Sequence, residues 1–131
     1  MALFGEMQGY IKEHAADGSM KPLVEPLAKA LGHLQQATMW FMQNAIAKPD
    51  NGGAGATDYM HLLGLVVLGY MWCQIAAAAQ RRLADDSSGR MNAKLVTARF
   101  FMERMLPETA AHLARIQSGA ASLMELPAEA F

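Results

Sequence analysis

The sequence predicts an all-α fold, an antiparallel up-and-down four-helix bundle whose last helix is kinked at a proline. Three observations lead there. Apolar residues recur at three- and four-residue spacing in four stretches, short polar loops join those stretches, and no stretch shows the alternation of a half-buried strand. Eleven methionines and many alanines, with few β-branched residues, suit helices with adaptable apolar faces. At 131 residues the chain is read as a single helical domain over 1–131, large enough to bury a core without staples.

The first helix is expected over 2–16, where Leu3, Phe4, Met7, Tyr10 and Ile11 share a face, and Asp17-Gly18-Ser19 should end it. The second should start near Pro22 to Pro26, since the first-turn amides have no intrahelical partner and tolerate proline. Its stripe is Leu23, Leu27, Leu31, Leu34, Thr38, Phe41 and Ala45, with Lys29, His33, Gln36 and Gln43 toward water. Lys48 to Gly55, rich in Gly, Asn and Asp, reads as a loop. Thr57 is then expected to cap the central helix, Asp58 to sit in its first turn, and Arg81 and Arg82 in its last. Asp85 to Gly89 forms another loop. The final helix carries Leu95, Ala98, Met102, Met105, Thr109, Leu113 and Ile116 on one face, with Pro107 inside it to bend or break it. Residues 119–131 hold at most a short helical turn before Pro127.

The central segment decides the class of protein. Between Asp58 and Arg81 there is no formal charge, and the run is apolar nearly all round, so it is either buried in protein or spans a membrane. His61 and Gln74 would lie inside a span, the aromatic residues are not at its ends, and three amphipathic neighbours need a shared apolar partner. A buried core helix is therefore expected, and no membrane. The net charge of −1, with scattered Lys and Arg, leaves no electrostatic footprint for nucleic acid. Cys73 is the only cysteine, which excludes a disulfide framework and suits a reducing, cytoplasmic setting. The first residues lack a positive n-region and carry Glu6, Glu13 and Asp17, unlike a signal peptide.

Chemistry is sparse. No Glu-x-x-His pair is present for a di-iron bundle, so no metal site is expected. Glu108 and His112, four apart, read as a surface pair. The glycine-rich 52–55 stretch follows no strand and lacks the P-loop lysine. Cys73 has no base beside it and reads as packing, while Arg90, Lys94, Arg99 and Arg104 read as a solvated face. No catalytic residue is assigned. Met39, Trp40, Met42, Val96 and Phe100 fall outside the main stripes, and form either an interaction patch or core against the N-terminal helix. With Asp58 and His61, the most notable polar pair, they make up the candidate interface.

Three stretches carry a resemblance: LGHLQQATMWFMQNA (31–45), GATDYMHLLGLVVLGYMW (55–72) and KLVTARFFMERMLPETAAHLARIQSGAASLMELP (94–127). Together, and in order from about Leu23 onward, they resemble the extra C-terminal helical module of the long bacterial acyl-CoA dehydrogenases, the group that includes 3-methylmercaptopropionyl-CoA dehydrogenase. The resemblance implies a parent flavoprotein oxidoreductase of fatty acid metabolism, which uses FAD to oxidise an acyl-CoA to the 2-enoyl-CoA in domains upstream. Nothing here matches the catalytic glutamate or the flavin-binding segments of such enzymes. The chain is thus expected to be the non-catalytic C-terminal piece of such an enzyme, inactive alone and without cofactor. Its expected partners are the remaining domains or a second subunit, with the full-length enzyme a homo-oligomer. The alternatives are a free-standing helical interaction or dimerisation protein and a small membrane protein.

Overall fold

A computed structural model describes residues 2–131, and every regular element in it is helical. The long helices are α1 (Ala2–His14), α2 (Lys21–Asn44), α3 (Pro49–Arg82), α4 (Arg90–Phe100) and α5 (Thr109–Gln117), and a single turn, α6 (Ala121–Met124), follows. The expected all-α class holds, with the last expected helix divided into several pieces.

The central helix α3 is longer than its sequence suggested. It begins at Pro49, so the Gly52-Gly53-Ala54-Gly55 stretch is helical, Thr57 is an interior residue rather than a cap, and Asp58 lies in the third turn instead of the first. Packing overrides the low helix propensity of glycine. A β-carbon on Gly55 would sit 2.8 Å from the Phe41 ring, and one on Gly52 would lie 3.5 Å from the Ala45 methyl. Gly55 lets α2 and the extended start of α3 lie close together, whereas the Gly52 position makes only an ordinary contact. Asn51 locks the same end, its amide donating to the Asn44 carbonyl at 2.9 Å and its Oδ1 accepting from the Ala120 N–H at 3.0 Å.

Helices α2 and α3 run antiparallel. Near one end the Cys73 thiol points at the Leu23 carbonyl, and near the other the Thr38 and Tyr59 hydroxyls lie 2.7 Å apart. The α4–α5 limb also runs back along α3, for a β-carbon on Gly69 would touch Leu106, and His112 meets Asp58. Helix α1 lies on α2 and reaches α3 through Tyr70, whose hydroxyl donates to the Glu6 carboxylate at 2.9 Å. Met7, Leu27, Leu34, Leu62, Val66 and Leu106 are fully buried where these helices meet. Each such side chain contributes roughly 1.5–3 kcal/mol of burial.

Pro107 breaks the last limb as expected. It has no N–H, and its ring clashes with the carbonyl four residues back. The chain responds with a π-helical turn over Phe101–Met105, in which the Leu106 N–H bonds to the Phe101 carbonyl, and a 3-10 turn over Leu106–Glu108. The wider turn brings Phe101 and Met102 inside together and swings Met105 out to 43% exposure. Met105 is therefore not on the core face expected for it. The start of α4 is capped by Asp86, whose carboxylate accepts from the Ser88 and Met91 N–H groups, with Gly89 at φ 80° completing the turn.

Candidate interaction surfaces

Helix α3 meets the expectation of a buried core helix on one side only. Gly55, Leu62, Val66, Gly69, Tyr70, Cys73, Ala76 and Ala79 are buried. Half a turn away, Met60 is 62% exposed, and Leu68, Met71 and Ile75 are also open. Only 39% of its most apolar 18-residue window is buried. By length and composition alone the helix could cross a membrane, but α2, α1 and the α4–α5 limb occupy its inner sides. The outward apolar face escaped the sequence reading because a run that is apolar all round has no periodicity to say which side faces water.

The seven candidate interface residues do not form one surface. Met39 and Met42 are exposed on α2, beyond the level where Thr38 meets Tyr59, near the start of α3. Val96 and Phe100, the latter 52% exposed, lie on α4 before the Leu106–Gly69 contact, toward the other end of α3. Trp40 is half-buried, its ring edge-on to Phe41 at 5.6 Å.

Asp58 turns inward to α5. Its Oδ1 accepts from His112 Nδ1 and from Arg115 Nε, each at 2.8 Å. His61 stays exposed but lays its ring over His112, centroids 5.6 Å apart and planes 12° off parallel. His112 is only 5% exposed, so Glu108 and His112 are not the surface pair expected; Glu108 Oε1 reaches His112 Nε2 at 3.5 Å from the solvent side. Partial burial pushes the Asp58 carboxyl up, but the hydrogen bonds from His112 and Arg115, and their charges, outweigh it and hold the group below its usual range. The network ties the second half of the broken limb to α3. Its spacing of 54 residues, Asp58 to His112, leaves no local signature to read in the sequence.

A groove of about 400 Å³ lies between α2 and the Pro107 break, lined by Pro22, Pro26, Lys29, His33, Leu106 and Pro107 among others. His33, expected on the wet side, is half-buried and its Nδ1 lies 2.9 Å from the buried Thr109 hydroxyl. Burial and the nearby Lys29 ammonium both lower its pKa. Deeper in the fold, burial pushes the Cys73 thiol up to about 12. Burial also pushes the Tyr10 phenol up to about 12, and its hydroxyl finds no partner among the described side chains. Among the described residues no three His, Cys, Asp or Glu side chains gather as a metal set.

Residues 3–127 match the family described as acetyl-CoA dehydrogenase C-terminal like, which leaves only the first two and last four residues outside the match. No curated protein matches the chain. The resemblance carried by residues 31–45, 55–72 and 94–127 and the family match agree over the same helices, and the chain belongs to the acetyl-CoA dehydrogenase C-terminal-like family.

Proposed function

We propose that the chain is the non-catalytic C-terminal helical domain of an FAD-dependent acyl-CoA dehydrogenase, a cytoplasmic oligomer that converts acyl-CoA to 2-enoyl-CoA. In this reading the domain packs on the catalytic body or on a second subunit, has no membrane or nucleic-acid partner, and contributes assembly rather than chemistry. Its helices form the up-and-down bundle, with α1 as the fourth member. The observation that carries the reading is the family match over 3–127. The exposed apolar residues of α3 and α4 support it, because an apolar surface of that kind marks a place where another protein surface sits.

Flavin belongs to the parent's other domains. The groove beside Pro107 does not fit it: Lys29 stands one turn from the Glu25 carboxylate, and the pair offers no cradle for a diphosphate. No chemical step of this chain runs through the cofactor.

The purified chain should be colourless and should not reduce a dye with any acyl-CoA, while binding the separately produced catalytic body of its parent enzyme. Bound flavin, or acyl-CoA oxidation by the chain alone, contradicts the proposal. A folded chain that ignores the catalytic body favours instead a free-standing helical interaction protein.

A further inference from the structure

We infer that the outward face of α3 is a self-complementary seam, on which a second copy of this chain packs antiparallel about a two-fold axis at Val67 and Leu68. The inference rests on the assembly role proposed above and names the face and the partner.

The outward residues of α3 are symmetrically spaced. Thr57, Met60, Gly64, Val67, Leu68, Met71, Ile75 and Ala78 lie on the side of α3 opposite Leu62, Val66 and Cys73, because residues three and four apart stack along one helical face. Their steps are three, four, three, one, three, four and three residues, the same read from either end. A two-fold axis between Val67 and Leu68 therefore superposes the stripe on itself, as an isologous interface requires. Side-chain size follows the same symmetry. Met60 meets Ile75 of the second copy, and Thr57 meets the small Ala78. Met71 comes over Gly64, where a β-carbon would have no neighbour within 4 Å, so a long flexible side chain faces an open notch.

Charge selects the antiparallel direction. The outward stripe ends in the exposed Asp50 at one end of α3 and the exposed Arg82 at the other. Antiparallel packing brings each Arg82 within about one helical turn of the other copy's Asp50, a pairing that offsets the exposed Asp85 at that same level. Parallel packing sets like charges side by side.

The area sets the strength. Four large apolar side chains on one face present on the order of 300–400 Å². Two copies then bury roughly 600–800 Å² of apolar surface, less than the ~1,200–2,000 Å² of a stable interface. The pair formed by this chain alone is concentration dependent, and the tether to a larger subunit strengthens it through effective concentration.

The test uses the full chain. Sedimentation over a wide concentration range should show a reversible monomer–dimer equilibrium. The double variant Met60→Cys with Ile75→Cys should form a covalent dimer under mild oxidation, and Met60→Cys alone should not. Within one copy the two positions are about 22 Å apart, too far to bridge. The native Cys73 is fully buried and stays out of the reaction. Gly64→Leu enters open space in its own chain, so it should keep the helical circular dichroism and weaken dimerisation at least tenfold. A chain that stays monomeric at all concentrations overturns the inference. So does dimer cross-linking by Met60→Cys alone, or dimerisation unaffected by Gly64→Leu. Monomeric binding to phosphatidylcholine–phosphatidylglycerol vesicles that Met71→Glu abolishes and Gly64→Leu does not weaken would give the face to lipid instead. A monomer that still binds the catalytic body overturns only the seam and leaves the proposed function standing.

Discussion

Replacing Gly53 and Gly55 by alanine, one at a time, separates a helical from a loop reading of residues 49–56 with opposite signs. Gly53 is exposed inside α3, and a β-carbon there has no neighbour within 4 Å. In a helix interior alanine is favoured over glycine by roughly 0.5–1 kcal/mol. For a domain of this length that raises the melting temperature by about 2–4 °C. Gly55 has the same propensity gain, but its β-carbon would lie 2.8 Å from Phe41 Cζ and 3.5 Å from Ile116 Cγ1. The Phe41 ring has little room to retreat, held edge-on by Tyr59 at 5.3 Å and by Trp40 at 5.6 Å. Overpacking costs about 1–3 kcal/mol, which outweighs the gain and leaves Gly55→Ala a net loss of roughly 1–2 kcal/mol. Thermal unfolding followed by circular dichroism reads both. A neutral or destabilising Gly53→Ala, or a stabilising Gly55→Ala, would refute the close-packed helical start of α3.

Three further outcomes follow from the packing. Asp58→Asn should destabilise the fold by about 1–2 kcal/mol at neutral pH, because it weakens the acceptor for His112 and Arg115. The Asp58 carboxyl has a lowered pKa in the fold, so its contribution is present above the ordinary carboxylate value and is lost as pH falls through the folded one. The stability difference between wild type and variant, measured by urea unfolding, should therefore shrink below about pH 4; a pH-independent difference contradicts the ion-paired geometry. Cys73 should react with a thiol reagent only as fast as the chain opens, since its thiol is buried and its pKa is raised to about 12; labelling at the rate of a free thiol counts against this placement. Leu27→Ala, at a fully buried site, should cost about 2–5 kcal/mol, whereas Phe100→Ala should stay within about 0.5 kcal/mol; comparable losses by urea titration would place Phe100 in the core.

What the sequence made legible follows from which forces are local. The spacing of Leu23, Leu27, Leu31 and Leu34 announced the inner face of α2, and Pro107 announced the break in the last limb, because both act within a few residues. The start of α3 was misread because its glycines signal a loop on propensity alone, while the contact that makes Gly55 helical comes from Phe41, on another helix. His112 was misread for a similar reason: beside Glu108 it looks like a surface residue, yet Asp58 on α3 draws it inward. Met105 moved outward because the π turn shifts the phase locally and puts Leu106 on the core face in its place, while the tighter 3-10 turn that follows brings Thr109, Leu113 and Ile116 back to the expected face; apolar spacing does not reveal where an extra residue is inserted. The exposed face of α3 was hidden by the uniformity of the run. Its glycines hold the distinction after all, since Gly55 and Gly69 have close neighbours and Gly64 has none.

On the proposed function this chain is an assembly domain of an acyl-CoA dehydrogenase and not its catalytic part. Co-purifying the full chain with the flavin-loaded catalytic body of its parent enzyme tests that most directly, with the complex sized and its components assayed separately. The complex should be stable, with all flavin absorbance and all acyl-CoA oxidation staying with the catalytic body and a colourless, inactive chain on separation. Flavin or activity that travels with the separated chain, or a failure of the two parts to associate, would contradict it.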